Sequence, residues 1–191
     1  MFTKFFGNLH QVLAAGLVLA VLVMWQFHGS VPVTPYAVLL WSHVFFGIVW
    51  IGLLYYLNFV QVPTMPKIPA ELKGGVTGFI APKVLFFFRY GALLTVLTGL
   101  TVAHLGGYAP QAMTFSGEGK VNLIGLGMWL AIIMAANVWF IIWPAQQKIL
   151  GLVESTPEAK AAAGPRALFA SRTNVLLSLP MLYCMAASNF Y

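Results

Sequence analysis

The chain has 191 residues, of which 60% are hydrophobic and only 7% charged, and its formal net charge is +6. Soluble domains have about 45–50% apolar and about 25% charged residues, so this composition excludes an ordinary soluble enzyme and a disordered chain. The basic residues are scattered singly, which argues against a nucleic-acid binder. The single cysteine, Cys184, excludes a disulfide framework, a cysteine zinc site and a CxxCH haem attachment site.

Five stretches are long and apolar enough to form transmembrane helices, each of which needs about 20 residues. The first stretch resembles a signal peptide, but no small-residue cleavage motif follows it, so we read it as a retained span. We therefore predict an all-α, polytopic membrane helix bundle that forms one domain over 1–191. Its spans are predicted at about 7–28, 35–60, 83–106, 121–146 and 168–190.

The distribution of basic residues predicts the orientation of these spans. Lys4 precedes the first span, and eight more lysines and arginines lie in or just after the loops that follow spans 2 and 4; Lys120 alone lies on the other side. Because cytoplasmic segments carry the excess of Lys and Arg, the N-terminus is predicted in the cytoplasm and the C-terminus in the periplasm. The localisation that follows is a bacterial inner membrane, crossed several times.

The loops between the spans are short. Four prolines break up 63–82, where we expect at most a short helix at 69–73. An Ala-rich stretch in 147–165 predicts a short interfacial helix that Pro157 interrupts and Gly164–Pro165 ends. The segment 107–120 is predicted to be a Gly-rich, polar outer loop.

Histidines are the most informative polar residues inside the spans, because all acidic residues lie in loops. His43 lies about 12 Å inside the second span and shares a helical face with Gly47, Trp50, Leu54 and Asn58. That face is expected to point into the bundle. Two interpretations of His43 remain open: a ligand to haem or to a metal, or a neutral histidine bonded to a neighbouring helix.

The other histidines extend this hypothesis. His104 and His28 end the third and first spans at the predicted outer face, whereas His10 is interfacial at the inner face. His43 and one of these outer histidines would clamp a b-type haem, with His104 favoured over His28 as second axial ligand and Trp50 packing on the macrocycle. Three histidines would instead hold copper.

Polar side chains near the inner face have simpler interpretations. Asn58, Asn137 and Asn174 are expected to hydrogen-bond between helices. Arg89 and Lys83 are expected to reach the lipid head groups from the start of the third span.

Four segments resemble the urate oxidase N-terminal family, the membrane domain of PuuD-type bacterial urate hydroxylases. They are HVFFGIVWIGLLYYLNFVQVPTM, IAPKVLFFFRYGALLTVLT, NVWFIIWPAQQKIL and RTNVLLSLPMLYCMAAS, which together cover about 35–188. The resemblance implies a bacterial inner-membrane protein with redox chemistry. The full-length relatives continue into a cytochrome c domain, so this chain is expected to be a short, stand-alone member for which urate oxidation is doubtful. His43, Trp50, Gly52 and Tyr55 are also similar to a pattern in small haem-binding membrane proteins of the copper-resistance and protoporphyrinogen-oxidase type.

Three functions remain open at this stage. The first is a membrane oxidoreductase or electron carrier with haem b, exchanging electrons with a cytochrome c. The second is a non-catalytic accessory subunit that packs on a larger membrane complex. The third, a small transporter, is disfavoured because the spans carry no buried acids. All three functions have the lipid bilayer as a partner, and each is compatible with a homo-oligomer. The sequence does not indicate a substrate.

Overall fold

A computed structural model describes residues 2–188, and all regular structure within that range is helical. The prediction of an all-α protein is therefore confirmed for this part of the chain. The helices, in chain order, are α1 (Phe2–Phe6), α2 (Leu9–Phe27), α3 (Pro35–Lys67), α4 (Ala70–Leu105), α5 (Ala109–Thr114), α6 (Gly119–Ile149) and α7 (Pro157–Ala187).

Four of these helices, α2, α3, α4 and α6, are long and apolar enough to cross a membrane. The last, α7, has 31 residues but a lower apolar content, and the end of the predicted span 168–190 lies outside the described residues. Five spans are thus not confirmed. The 33 residues of α3 span about 50 Å, which is longer than a hydrocarbon core of about 30 Å. The helix ends at Lys67, beyond the span predicted at about 35–60.

Contrary to the prediction from the sequence, most of the prolines do not end these helices. The segment 63–82 is mostly helical, and three prolines each follow a short π-helical segment that widens the turn before them. A proline ring lacks an N–H and collides with the carbonyl four residues earlier, and a wider turn removes that collision. The three pairs are Tyr56–Gln61 with Pro63, Val76–Ile80 with Pro82, and Val138–Ile142 with Pro144.

The predicted end of a helix at Gly164–Pro165 is also wrong, because α7 runs through both residues without a break. Pro157 begins α7 instead of interrupting it. It occupies the first turn, where its missing N–H would have no partner in any case, and the Thr156 hydroxyl accepts a hydrogen bond from Ala159 N at 3.2 Å. The outer segment 107–120 is not a simple loop either, since it contains α5.

By its internal contacts the chain divides into two units, Met1–Val38 and Leu39–Tyr191. In the first unit, none of the side chains of α2 is buried. In the second, α3, α4, α6 and α7 enclose one large apolar core. Its largest fully buried apolar side chains are Trp50, Leu54, Phe88, Met134 and Val138.

A polar layer crosses this core and joins three helices. Asn58 of α3 donates to Ser171 Oγ of α7 at 2.8 Å. Asn137 of α6 donates to Asn174 Oδ1 of α7 at 2.8 Å, and Asn174 returns a bond to Met134 O at 3.0 Å. The prediction that these three asparagines link helices is confirmed. In an apolar surrounding such bonds fix the register of the helices, because an unbonded amide there is costly.

Candidate functional site

His43 lies on α3 and contacts α4. Its Nδ1 is 2.9 Å from the backbone oxygen of Thr95, a residue 52 positions away. A carbonyl oxygen can only accept, so Nδ1 must carry the proton and Nε2 keeps its lone pair. The Thr98 hydroxyl, 3.4 Å from the same nitrogen, donates to Leu94 O at 2.6 Å. The histidine is therefore held as one tautomer by a neighbouring helix, the arrangement in which ligand histidines are usually found.

Gly99 provides the space that the imidazole occupies. A Cβ atom on this residue would lie 2.7 Å from His43 Cε1 and 3.0 Å from Nδ1, closer than nonbonded carbon atoms approach. Any side chain at position 99 would therefore push the ring away from the Thr95 carbonyl. Gly99 therefore allows the histidine to lie against α4.

A cleft opens beside His43 between α3, α4, α6 and α7. Apart from the imidazole and Thr95 its walls are apolar, and they include two methionines. The space in it that a water-sized molecule can occupy is about 30 Å³, and one side of the cleft is open. That space holds one or two water molecules and is far smaller than a typical small-ligand site, which starts at about 300 Å³. The lining residues are His43, Thr95, Val96, Gly99, Leu100, Met128, Ala131, Ile132 and Met185.

The other predicted site residues lie elsewhere. His104 is exposed at the end of α4; it follows Gly99 by five residues and so lies about 140° further round the helix. His28, also exposed, has its Nδ1 2.6 Å from Trp25 O, and His10 is exposed on α2. The structure does not bring His104 to the face of α4 that contacts His43.

Trp50 is fully buried, but it belongs to the core of the bundle and not to the walls of the cleft. Its backbone packs against Gly91, where a Cβ would lie 3.4 Å from the Trp50 Cα. The indole nitrogen has no hydrogen-bond partner. Trp50 follows His43 by about 10 Å along α3, which explains why the two share a face without sharing the cleft.

Within 2–188, no group of three His, Cys, Asp or Glu side chains could hold a metal ion. A copper site made of three histidines is therefore not assembled in that range. The sequence did not point to Met128 and Met185, which the helix packing brings to the cleft. Methionines are common in apolar spans, and only the contact between α6, α7 and the His43 region distinguishes these two.

Comparison with known proteins gives one match. The profile of a family described as "Urate oxidase N-terminal" matches residues 89–191, so His43 lies before the matched region. A search of curated proteins and a search of solved structures each found no match. Since the matched region covers more than half of the sequence, the chain belongs to the urate oxidase N-terminal family.

Proposed function

We propose that this protein is integral to the bacterial inner membrane, with five spans and a cytoplasmic N-terminus. Four helices of sufficient length and apolar content support the first four spans. The part of α7 after Arg172, which packs along α6 throughout the core, is the proposed fifth. Nine of the ten basic residues then lie on the cytoplasmic side or just inside it.

This orientation makes a direct prediction for two loops. A periplasmically active reporter inserted at Gly107 is expected to be active, and the same reporter inserted at Glu154 to be inactive. Both positions are exposed and lie between helices, and a Cβ on Gly107 would meet nothing within 4 Å, so an insertion there disturbs little packing. A cytoplasmically active reporter at the same two sites is the control. The reverse pattern for both reporters would contradict the orientation.

Within this membrane protein we propose that His43 binds haem b and that the protein takes part in electron transfer. The observation that carries the proposal is the bond from Nδ1 to the Thr95 carbonyl, which leaves Nε2 free to ligate. Neutral imidazole is a common axial ligand of haem iron. The cleft as it stands is far smaller than a haem, so the group would have to lie on its open side, where the walls beside His43 are apolar.

The residues around His43 would have separate tasks. His43 would hold the iron, the Thr95 carbonyl would keep the imidazole in place, and Gly99 would leave room for the ring. Bound haem supplies one-electron chemistry, which the protein tunes through ligands and burial. Because His104 faces away from His43, we propose His43 as the sole histidine ligand, in place of the pair that the sequence suggested. A cytochrome c is the proposed electron partner.

A visible spectrum of the protein purified from membranes in mild detergent tests haem binding. After reduction with dithionite, we expect the narrow absorption bands of a b-type haem. A preparation from haem-supplemented cells guards against incomplete loading of an overproduced protein. A colourless protein under both conditions would contradict the proposal.

The second candidate is an accessory subunit of a larger membrane complex. The observation in its favour is α2, an apolar helix of 19 residues with no buried side chain, whose apolar surface suits contact with lipid or with another protein. Native mass spectrometry after mild solubilisation separates the candidates. A colourless protein that co-purifies in a defined larger complex supports the accessory subunit, whereas a haem-containing protein without partners supports the first proposal.

A further inference from the structure

The side chain of Arg89, on α4, lies within a group of four aromatic rings. The guanidinium carbon is 3.8 Å from the centroid of the Trp143 ring and 5.1 Å from that of Tyr90. Phe86 and Trp139 are each at 5.9 Å. The Trp139 indole also donates a hydrogen bond to Arg89 O at 3.1 Å, which fixes this ring against α4. We call these five residues the Arg89 cage.

The cage holds the positive charge but does not satisfy its hydrogen bonds. Arg89 Nε is buried and has no acceptor in the structure. The aromatic rings attract the cation through their faces, but they offer no lone pair to its five N–H groups. The chain has no aspartate, and its four glutamates, at 71, 118, 154 and 158, lie at or near helix starts outside the cage.

Head-group snorkelling alone does not account for this geometry. An arginine that merely reaches for water extends its whole head into solvent. Here the guanidinium is stacked on Trp143, so its position is fixed, while its Nε is withdrawn from solvent. A fixed guanidinium presents a planar fork of donors, which matches two oxygens of a phosphate group. An anionic partner would satisfy this cation, and none of the acidic side chains, all of which lie within residues 2–188, belongs to the cage.

We propose that the Arg89 cage is a binding site for a phosphate group, supplied by the head group of an anionic membrane lipid. The position favours a lipid. Arg89 precedes Gly99 by ten residues, about 15 Å along α4 toward the end of the bundle that also carries Lys83 and Lys148. Three of the four rings, those of Tyr90, Trp139 and Trp143, are of the types that prefer the boundary between head groups and acyl chains. The site is separate from the His43 cleft and does not depend on haem binding.

Thermal unfolding of the full chain in two kinds of nanodisc tests the proposal, one of phosphatidylcholine alone and one of equal amounts of phosphatidylcholine and phosphatidylglycerol. We expect wild type to gain more stability from phosphatidylglycerol than Arg89→Gln does. Native mass spectrometry should show about tenfold weaker retention of phosphatidylglycerol by Arg89→Gln, which corresponds to about 1.4 kcal/mol. Trp143→Leu should show an intermediate loss, since it removes the stacked ring and leaves the charge.

Two further variants keep the result interpretable. Arg172→Gln removes an exposed arginine of α7 and is expected to retain the lipid as wild type does. Arg89→Lys keeps the charge, so it should fold even if Arg89→Gln does not, and it should bind more weakly because it lacks the planar fork. Inorganic phosphate added to detergent-solubilised protein separates the sources: stabilisation that depends on Arg89 would support a phosphate site with a soluble ligand. Equal lipid retention by wild type, Arg89→Lys and Arg172→Gln, with no effect of phosphate, would overturn the proposal.

Discussion

Replacement of Trp50 by alanine is expected to lower the free energy of unfolding by about 3–5 kcal/mol, the usual cost of truncating a large buried aromatic residue. Trp50 is fully buried in the middle of the core, and α4 packs against its backbone at Gly91. Neither lipid nor a neighbouring side chain can refill the space, so the cost is that of a cavity and of lost contacts. Reversible unfolding in mixed detergent micelles measures it.

Two variants serve as controls for Trp50→Ala. Trp25→Ala truncates the same residue type where it is 70% exposed on α2, and its effect should stay within about 0.5 kcal/mol. Trp50→Phe keeps most of the ring and removes an indole N–H that has no acceptor, so it should cost much less than alanine. Equal stability of Trp50→Ala and Trp25→Ala would show that the core is not packed around Trp50.

Gly125→Ala is expected to lower the free energy of unfolding by about 1–3 kcal/mol, as overpacking does in a dense core. A Cβ on Gly125 would overlap the backbone carbonyl of Ala112, where α5 packs against α6. Backbone atoms cannot turn aside as a flexible side chain can, so α5 itself would have to move. The same displacement would strain the bond from the Trp129 indole to Met113 O, now 3.0 Å.

Gly52→Ala is the matched control for Gly125→Ala. Gly52 lies inside α3, and a Cβ there would meet nothing within 4 Å. Alanine should therefore be neutral or stabilise the helix by up to about 1 kcal/mol. If the two variants unfold alike, the close approach of α5 and α6 is not a feature of the folded protein.

Periodicity and composition predicted much of the fold. The helical period placed His43, Trp50 and Asn58 on one face, and the structure buries Trp50 and Asn58 fully and His43 partly. The cost of unbonded amides in lipid predicted the role of the three asparagines, and their bonds confirm it. These inferences depend on the spacing of residues along a helix and on the apolar environment of a membrane span. A single sequence indicates both, the first through its periodicity and the second through its composition.

Helix boundaries and the partners of His43 could not be predicted in the same way. A proline usually marks a helix end, but a π-helical segment before Pro63 allows the helix to continue through it. No local sequence pattern indicates that segment. The Thr95 carbonyl that orients His43 is 52 residues away and belongs to the backbone, so residue identity carries no signal for it. The rotation that turns His104 away from His43 follows from the separation of five positions between Gly99 and His104, but only once Gly99 is known to face the ring.

Haem content per protein, measured side by side for wild type, His43→Ala and His104→Ala, tests the account most directly. All three proteins should be purified from the same membranes, and their unfolding compared so that loss of haem is not mistaken for loss of fold. We predict that wild type and His104→Ala carry the same amount of b-type haem and that His43→Ala carries none. Haem retained by His43→Ala, or lost from His104→Ala alone, would contradict the assignment of His43 as the sole histidine ligand.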